Sequence, residues 1–159
     1  MRTIISLLKA VEKIQIQLVC EIAVDQTKEN LLSLNRQQMF DGKTETGDDI
    51  SPSYLEDPYF KSRESAQRYS DWKDKITPNP KRKKGVPNLF IVGTFHDSIS
   101  IEVAGSSIKF QSSFEKASAI VSKFSGNIYG LGGEYKADYI VTDLSPATGV
   151  ELVKQLNKR

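Results

Sequence analysis

One cysteine, one histidine and one tryptophan among 159 residues leave little material for redox or metal chemistry. Cys20 has no partner within the chain, which excludes an internal disulfide and suits folding under reducing conditions. His96 stands alone and far from Cys20 in sequence, so neither a metal cluster nor a Cys–His dyad has support, and no cofactor is expected. Nowhere does the chain reach the ~18 consecutive apolar residues of a membrane helix. Lys9, Glu12 and Lys13 interrupt the apolar start before it could act as a signal segment, so the expectation is a soluble protein with no membrane partner. Carboxylates are plentiful, 20 in all, but no spacing singles out an acid pair for general acid–base work. The chain is therefore not expected to be an enzyme.

What is present is charge, unevenly placed. The formal balance is +2, yet residues 41–60 carry six acids against Lys43, and residues 61–84 carry nine bases against three acids. Asp41, Glu45, Asp48 and Asp49 form a candidate acidic face between subunits, and Lys81, Arg82, Lys83 and Lys84 a candidate contact to DNA or to a neighbouring subunit. A hydrophobic fraction of 38% is low for a self-contained globule, which points to a part of the chain that is extended or exposed as contact surface.

Periodicity predicts an α+β chain forming a single domain over 1–159: a long N-terminal helix and a small antiparallel meander packed with further helices. Ile4, Leu7, Val11, Ile14, Leu18 and Ile22 recur at helical spacing from about Thr3, and Ile5, Leu8, Val19 and Val24 widen that stripe. Leu31, Leu32, Leu34 and Met39 carry a helical arm on to 40, with Asp25 and Thr27 as caps should it break. Residues 41–85 read as a polar loop or hairpin, a helix showing Phe60, Ala66, Tyr69, Trp72 and Ile76 on one face, and the basic loop TPNPKRKKG. Lys73 falls away from that aromatic face.

The stretch VPNLFIVGTFHDSISIEV, 86–103, organises the rest. Leu89 to Val92 has the length and punctuation of a buried strand, Thr94 to Ser98 of one helical turn capped by Thr94, and Ile99, Ile101 and Val103 alternate with polar residues. Gly105-Ser106 then turns into a strand from Ile108 to Gln111, completing a meander over 86–112. His96 reads as a polar turn residue beside Asp97. In residues 113–159 Ser113 caps a helix through Phe124 that Gly126 stops, NIYGLGG is a glycine-rich turn, and Ser145-Pro146 starts a last helix with Val150, Val153 and Leu156 inward.

Several fragments imitate sites. Gly42-Lys43-Thr44 lacks the glycine that a phosphate-binding loop needs five positions earlier, where Gln37 stands. Asp41, Lys43 and Glu45 fail as a calcium loop, since a lysine holds a ligand position and Pro52 stands in place of the bidentate glutamate. NIYGLGG lacks the strand-then-helix setting of a dinucleotide fingerprint.

The order of features from Asn35 to Val103 resembles small neck proteins of tailed bacteriophages, of the virion-morphogenesis and tail-completion type. The likeness rests on Leu34-Asn35-Arg36-Gln37-Gln38, Gly42 and Gly47, Ser51-Pro52-Ser53-Tyr54, Tyr69 and Lys73, Lys81 to Gly85, and Leu89 with Val92-Gly93-Thr94-Phe95-His96-Asp97-Ser98-Ile99. Val92-Gly93 stands where that family has Thr-Gly, and Leu55 to Phe60 looks like an insertion. The resemblance implies a structural virion subunit, assembled in the host cytoplasm and forming a homo-oligomeric ring in the neck beside portal, connector and tail proteins. A head-to-tail ring needs two complementary faces, which the acidic and basic segments would supply, and a basic loop could instead line the DNA channel. The rival expectation is a small nucleic-acid-binding accessory protein using residues 81–84 with Tyr69 and Trp72.

Overall fold

The computed structural model describes residues 4, 9, 11, 12, 14–105, 107–124 and 128–157. Thr3, Ile5, Leu7, Leu8, Ser106 and Gly126, all used in the sequence expectations, lie outside them. The architecture is α+β, with a long helix near the start, a two-stranded antiparallel hairpin and shorter helices around it.

Helix α1 runs unbroken from Ile16 to Phe40, passing through Asp25 and Thr27 without a cap. Thr27 stays helical because its hydroxyl donates back to Ala23 O at 2.8 Å, satisfying the group inside the helix. The buried face is Val19, Ala23, Val24, Leu31, Leu32, Asn35, Gln38 and Met39, whereas Ile4, Val11 and Leu18 of the expected stripe are exposed. Val19 and Val24, which widen that stripe, are buried, so the cover over α1, which comes from elements distant in sequence, selects one side of it.

Between α1 and helix α2 (Arg63–Ile76) the chain turns back on itself at a single antiparallel bridge, Lys43 to Asp49. Helix α2 opens with a capping box in which the Ser62 side chain accepts from Ser65 N and the Ser65 hydroxyl accepts from Ser62 N. Its buried face is Ala66, Ser70 and Lys73, rotated from the expected aromatic face, and Trp72 and Ile76 are exposed.

No strand forms over Leu89 to Val92. Asn88 is fully buried and acts as a local organiser: its side chain accepts from Phe90 N and donates to Thr77 Oγ1 at 3.1 Å, while its carbonyl contacts His96 Nε2 at 3.0 Å. Leu89 consequently takes a left-handed φ of 53°, which breaks the extended backbone a strand requires and turns Val92 outward to 79% exposure. The meander is thus reduced to a hairpin. The turn expected at Thr94 forms as helix α3 (Thr94–Asp97), but Gly93, with φ of 89°, holds the cap position. His96 lies in that turn beside Asp97, as expected, and is buried there.

Strand β1 (Ile99–Ala104) pairs with β2 (Ser107–Ser112), placing Ile101 opposite Phe110 and Val103 opposite Ile108. Along β1 the alternation is as expected, with Ile99, Ile101 and Val103 toward the protein. Ile99, Phe95, Leu32, Met39, Ile50, Val86, Phe124 and Ile128 form the main core, each buried aliphatic contributing ~1.5–3 kcal/mol. Helix α4 (Ala117–Lys123) follows, starting later than Ser113 because Ser112 Oγ, 3.1 Å away, takes the Phe114 N–H in a turn.

Helix α5 (Gly133–Tyr139) passes through a π-helical turn, Ile140–Leu144, into helix α6 (Ser145–Asn157). Tyr139, Val24 and Leu31 form a second small core. Val150 and Val153 point outward, contrary to expectation, and Glu151 is buried instead with Gln155 Nε2 at 2.9 Å and Lys154 Nζ at 3.5 Å.

Candidate interaction surface

The acidic and basic segments meet each other. The Lys83 ammonium lies 2.6 Å from Asp49 Oδ2, and Lys43 lies 2.7 Å from Asp49 Oδ1. Hydrogen bonds from Lys43 and then Lys83 hold the Asp49 carboxyl below its ordinary range, and Asp49 in turn raises Lys83. Lys84 sits 2.8 Å from Asp71 Oδ1, with the lysine pushed up and the carboxyl pushed down. Lys81 lies 3.9 Å from Asp41 and 3.8 Å from Glu134, with its ammonium over the Tyr135 ring at 6.0 Å.

Arg82 differs from its neighbours. Its side chain is 2% exposed, and its guanidinium donates to Asp74 Oδ1 at 2.8 Å, Val86 O at 2.7 Å and Thr77 O at 3.2 Å. It closes the basic loop from inside and presents nothing to DNA or to a neighbour. The surface offered by the run is therefore three exposed lysines, each with an acidic partner.

Asp41 likewise is not part of an acidic face. It is buried just beyond the end of α1, where Asn79 Nδ2 at 2.7 Å, Gln37 Nε2 at 2.8 Å and the Tyr135 hydroxyl all donate to it. Those bonds tie helix α1, the basic loop and helix α5 together, and burial followed by the Asp41 bond raises Tyr135 far above a free phenol. Glu45 and Asp48 are exposed. The backbone of Glu45 lies against Gly132, where an added Cβ would come within 1.9 Å of its carbonyl oxygen. The glycine-rich turn is held from below by α1: Asn35 Nδ2 donates to Gly130 O at 2.7 Å, and Gln38 Oε1 accepts from Gly132 N at 2.9 Å.

A different surface was not foreseen from the sequence. Val141 in the π turn is 70% exposed, and Val150 and Val153 on α6, three apart and so on one side of the helix, are 54% and 56% exposed. The signal was present as the apolar spacing of α6, but the spacing alone does not say which side faces the protein. Among the described residues no group of three His, Cys, Asp or Glu side chains is placed to hold a metal ion, and no helix is long and apolar enough to cross a membrane. Comparison of the chain with protein-family models, with curated proteins and with solved structures returns no match to any of the three.

Proposed function

We propose that the chain is a structural subunit of a tailed-phage virion, assembling as a homo-oligomeric ring in the neck between portal and tail. The observation that carries the oligomeric part is the uncovered pair Val150 and Val153, since apolar side chains gathered on one side of a helix gain stability only when something covers them. The motif order over residues 34–99 supports the phage neck as the assembly. Charge complementarity between neighbours, by contrast, contributes less than the segment totals imply, because Asp49, Asp71, Asp74 and Asp41 already meet the bases of the 81–84 run within one chain.

Lys81, Lys83 and Lys84 keep exposed ammonium groups at the surface. In a ring they suit weak, sequence-independent contact with passing DNA, where partial neutralisation by acids keeps affinity low enough for sliding. Light scattering of the purified chain, alone and mixed with a portal-and-tail fraction, tests the proposal. A ring-sized mass or incorporation into the neck fraction is the expected result. A monomer that ignores that fraction overturns it, and salt-sensitive DNA binding by that monomer would instead establish the accessory-protein reading.

A further inference from the structure

Away from the charged surface, Tyr59, Phe60, Tyr69, Phe90 and Phe124 line a cleft of about 420 Å³, with Lys73 and Lys123 among its walls. Its aromatic side is braced by ring contacts, Tyr69 meeting Tyr54 at 5.0 Å and Phe60 at 5.2 Å between centroids. Helix α2 supplies Tyr69 and Lys73 one helical turn apart, so that both reach the same space.

The charges of the cleft do not cancel. Lys123 is paired with Asp57, and its ammonium also lies 5.8 Å from the Tyr59 ring and 5.6 Å from that of Phe124. Lys73 is only 1% exposed, and its ammonium donates to the carbonyl of Phe90. An ammonium has three N–H donors, and among the described residues Lys73 has that single acceptor and no ion pair. A buried cation without a direct ion pair is costly, and an anion entering the cleft would relieve that cost. Carboxylate chemistry matches the cation and an apolar body matches the six rings, Tyr54 included.

We propose that this cleft binds a small organic carboxylate, the Lys73 ammonium taking the carboxylate and the aromatic walls its apolar body. The ligand class is set by the two halves together: a bare inorganic anion would leave the rings unfilled, and a neutral aromatic would leave the ammonium unpaired. Burial, with nearby Arg82 adding to it and Asp74 opposing both, lowers Lys73 to about 8. Lys123, Asp57, Tyr54 and Tyr69 also border the cleft. Lys73 is therefore charged at neutral pH and loses its charge just above it.

Calorimetry with phenylacetate and its neutral counterpart phenylacetamide tests this on the unaltered chain. At pH 7 phenylacetate is expected to bind about tenfold more tightly, the scale of one charge-assisted hydrogen bond. That preference should fade above pH 8 and be absent in Lys73→Met. Equal binding of acid and amide, no binding of either, or a preference that persists at pH 9.5 would overturn the proposal. The last result would assign recognition to Lys123, and since the acid–amide and pH comparisons need no variant, the test stands even if Lys73→Met does not fold.

Discussion

The guanidinium of Arg82 is sealed against Asp74, 2.8 Å away, in the middle of a run whose three lysines all reach the surface. Four consecutive-looking bases thus divide into one structural residue and three available ones. The division has an energetic consequence. Arg82→Ala removes a buried cation's bonds to Asp74, Val86 O and Thr77 O, and is expected to destabilise the fold by about 3 kcal/mol. Lys84→Ala, at a surface pair, is expected to leave the urea midpoint unchanged. Parallel urea titrations check both, and equal midpoints for the two variants would contradict the assignment.

Acid sensitivity should trace to His96. Burial pushes the imidazole down to about 4, against the opposing effect of its contact with the Asn88 carbonyl. The unfolded chain takes up the proton near pH 6.5 while the folded chain resists until about 4, so between those values the unfolded state holds more protons. Stability is accordingly whole above pH 6.5 and falls as pH drops toward 4. His96→Gln should flatten the 5-versus-7 difference in unfolding free energy while lowering stability at both pH values.

Two glycines should respond in opposite senses to alanine. At Gly132 the new methyl group meets the Glu45 backbone at 1.9 Å, and Gly132→Ala should cost about 1–3 kcal/mol as the turn is forced off α1. Gly149 lies inside helix α6 with nothing within 4 Å of its would-be Cβ, so Gly149→Ala should stabilise by about 1 kcal/mol. Thermal unfolding of the pair separates a packing constraint from a helix-propensity defect.

Assembly should depend on the valine surface and hardly on the lysines. Val150→Asp with Val153→Asp is expected to leave the monomer folded, since both side chains are exposed, and to reduce or abolish the ring-sized species in light scattering. Reversing Lys83 to Glu should mainly disturb its own contact with Asp49. If the lysine variant, rather than the valine pair, dissolves the ring, the interface lies on the charged side.

The sequence alone determined features that depend on near neighbours. The period-two alternation of Ile99, Ile101 and Val103 announces a strand with one covered face, and the run through Leu31, Leu32 and Met39 announces a helix with one buried side, because both periods follow from backbone geometry. The uneven charge was also legible, as was a polar loop or hairpin between Asp41 and Ser53, of which the structure forms a turn-back closed by the Lys43–Asp49 bridge. Tertiary structure decided what those features do. Whether acid and base segments face outward or toward each other depends on how the chain folds back, and it brings Asp49 to Lys83 across 34 residues. Leu89 to Val92 has the composition of a buried strand, yet Asn88, held by Thr77 and His96, turns it into a coil. The same coil carries the Phe90 carbonyl to Lys73, a residue whose local pattern places it in solvent. A side chain's burial is settled by whatever packs over it, and for Lys73 that cover lies 17 residues away, beyond the reach of any helical or strand period.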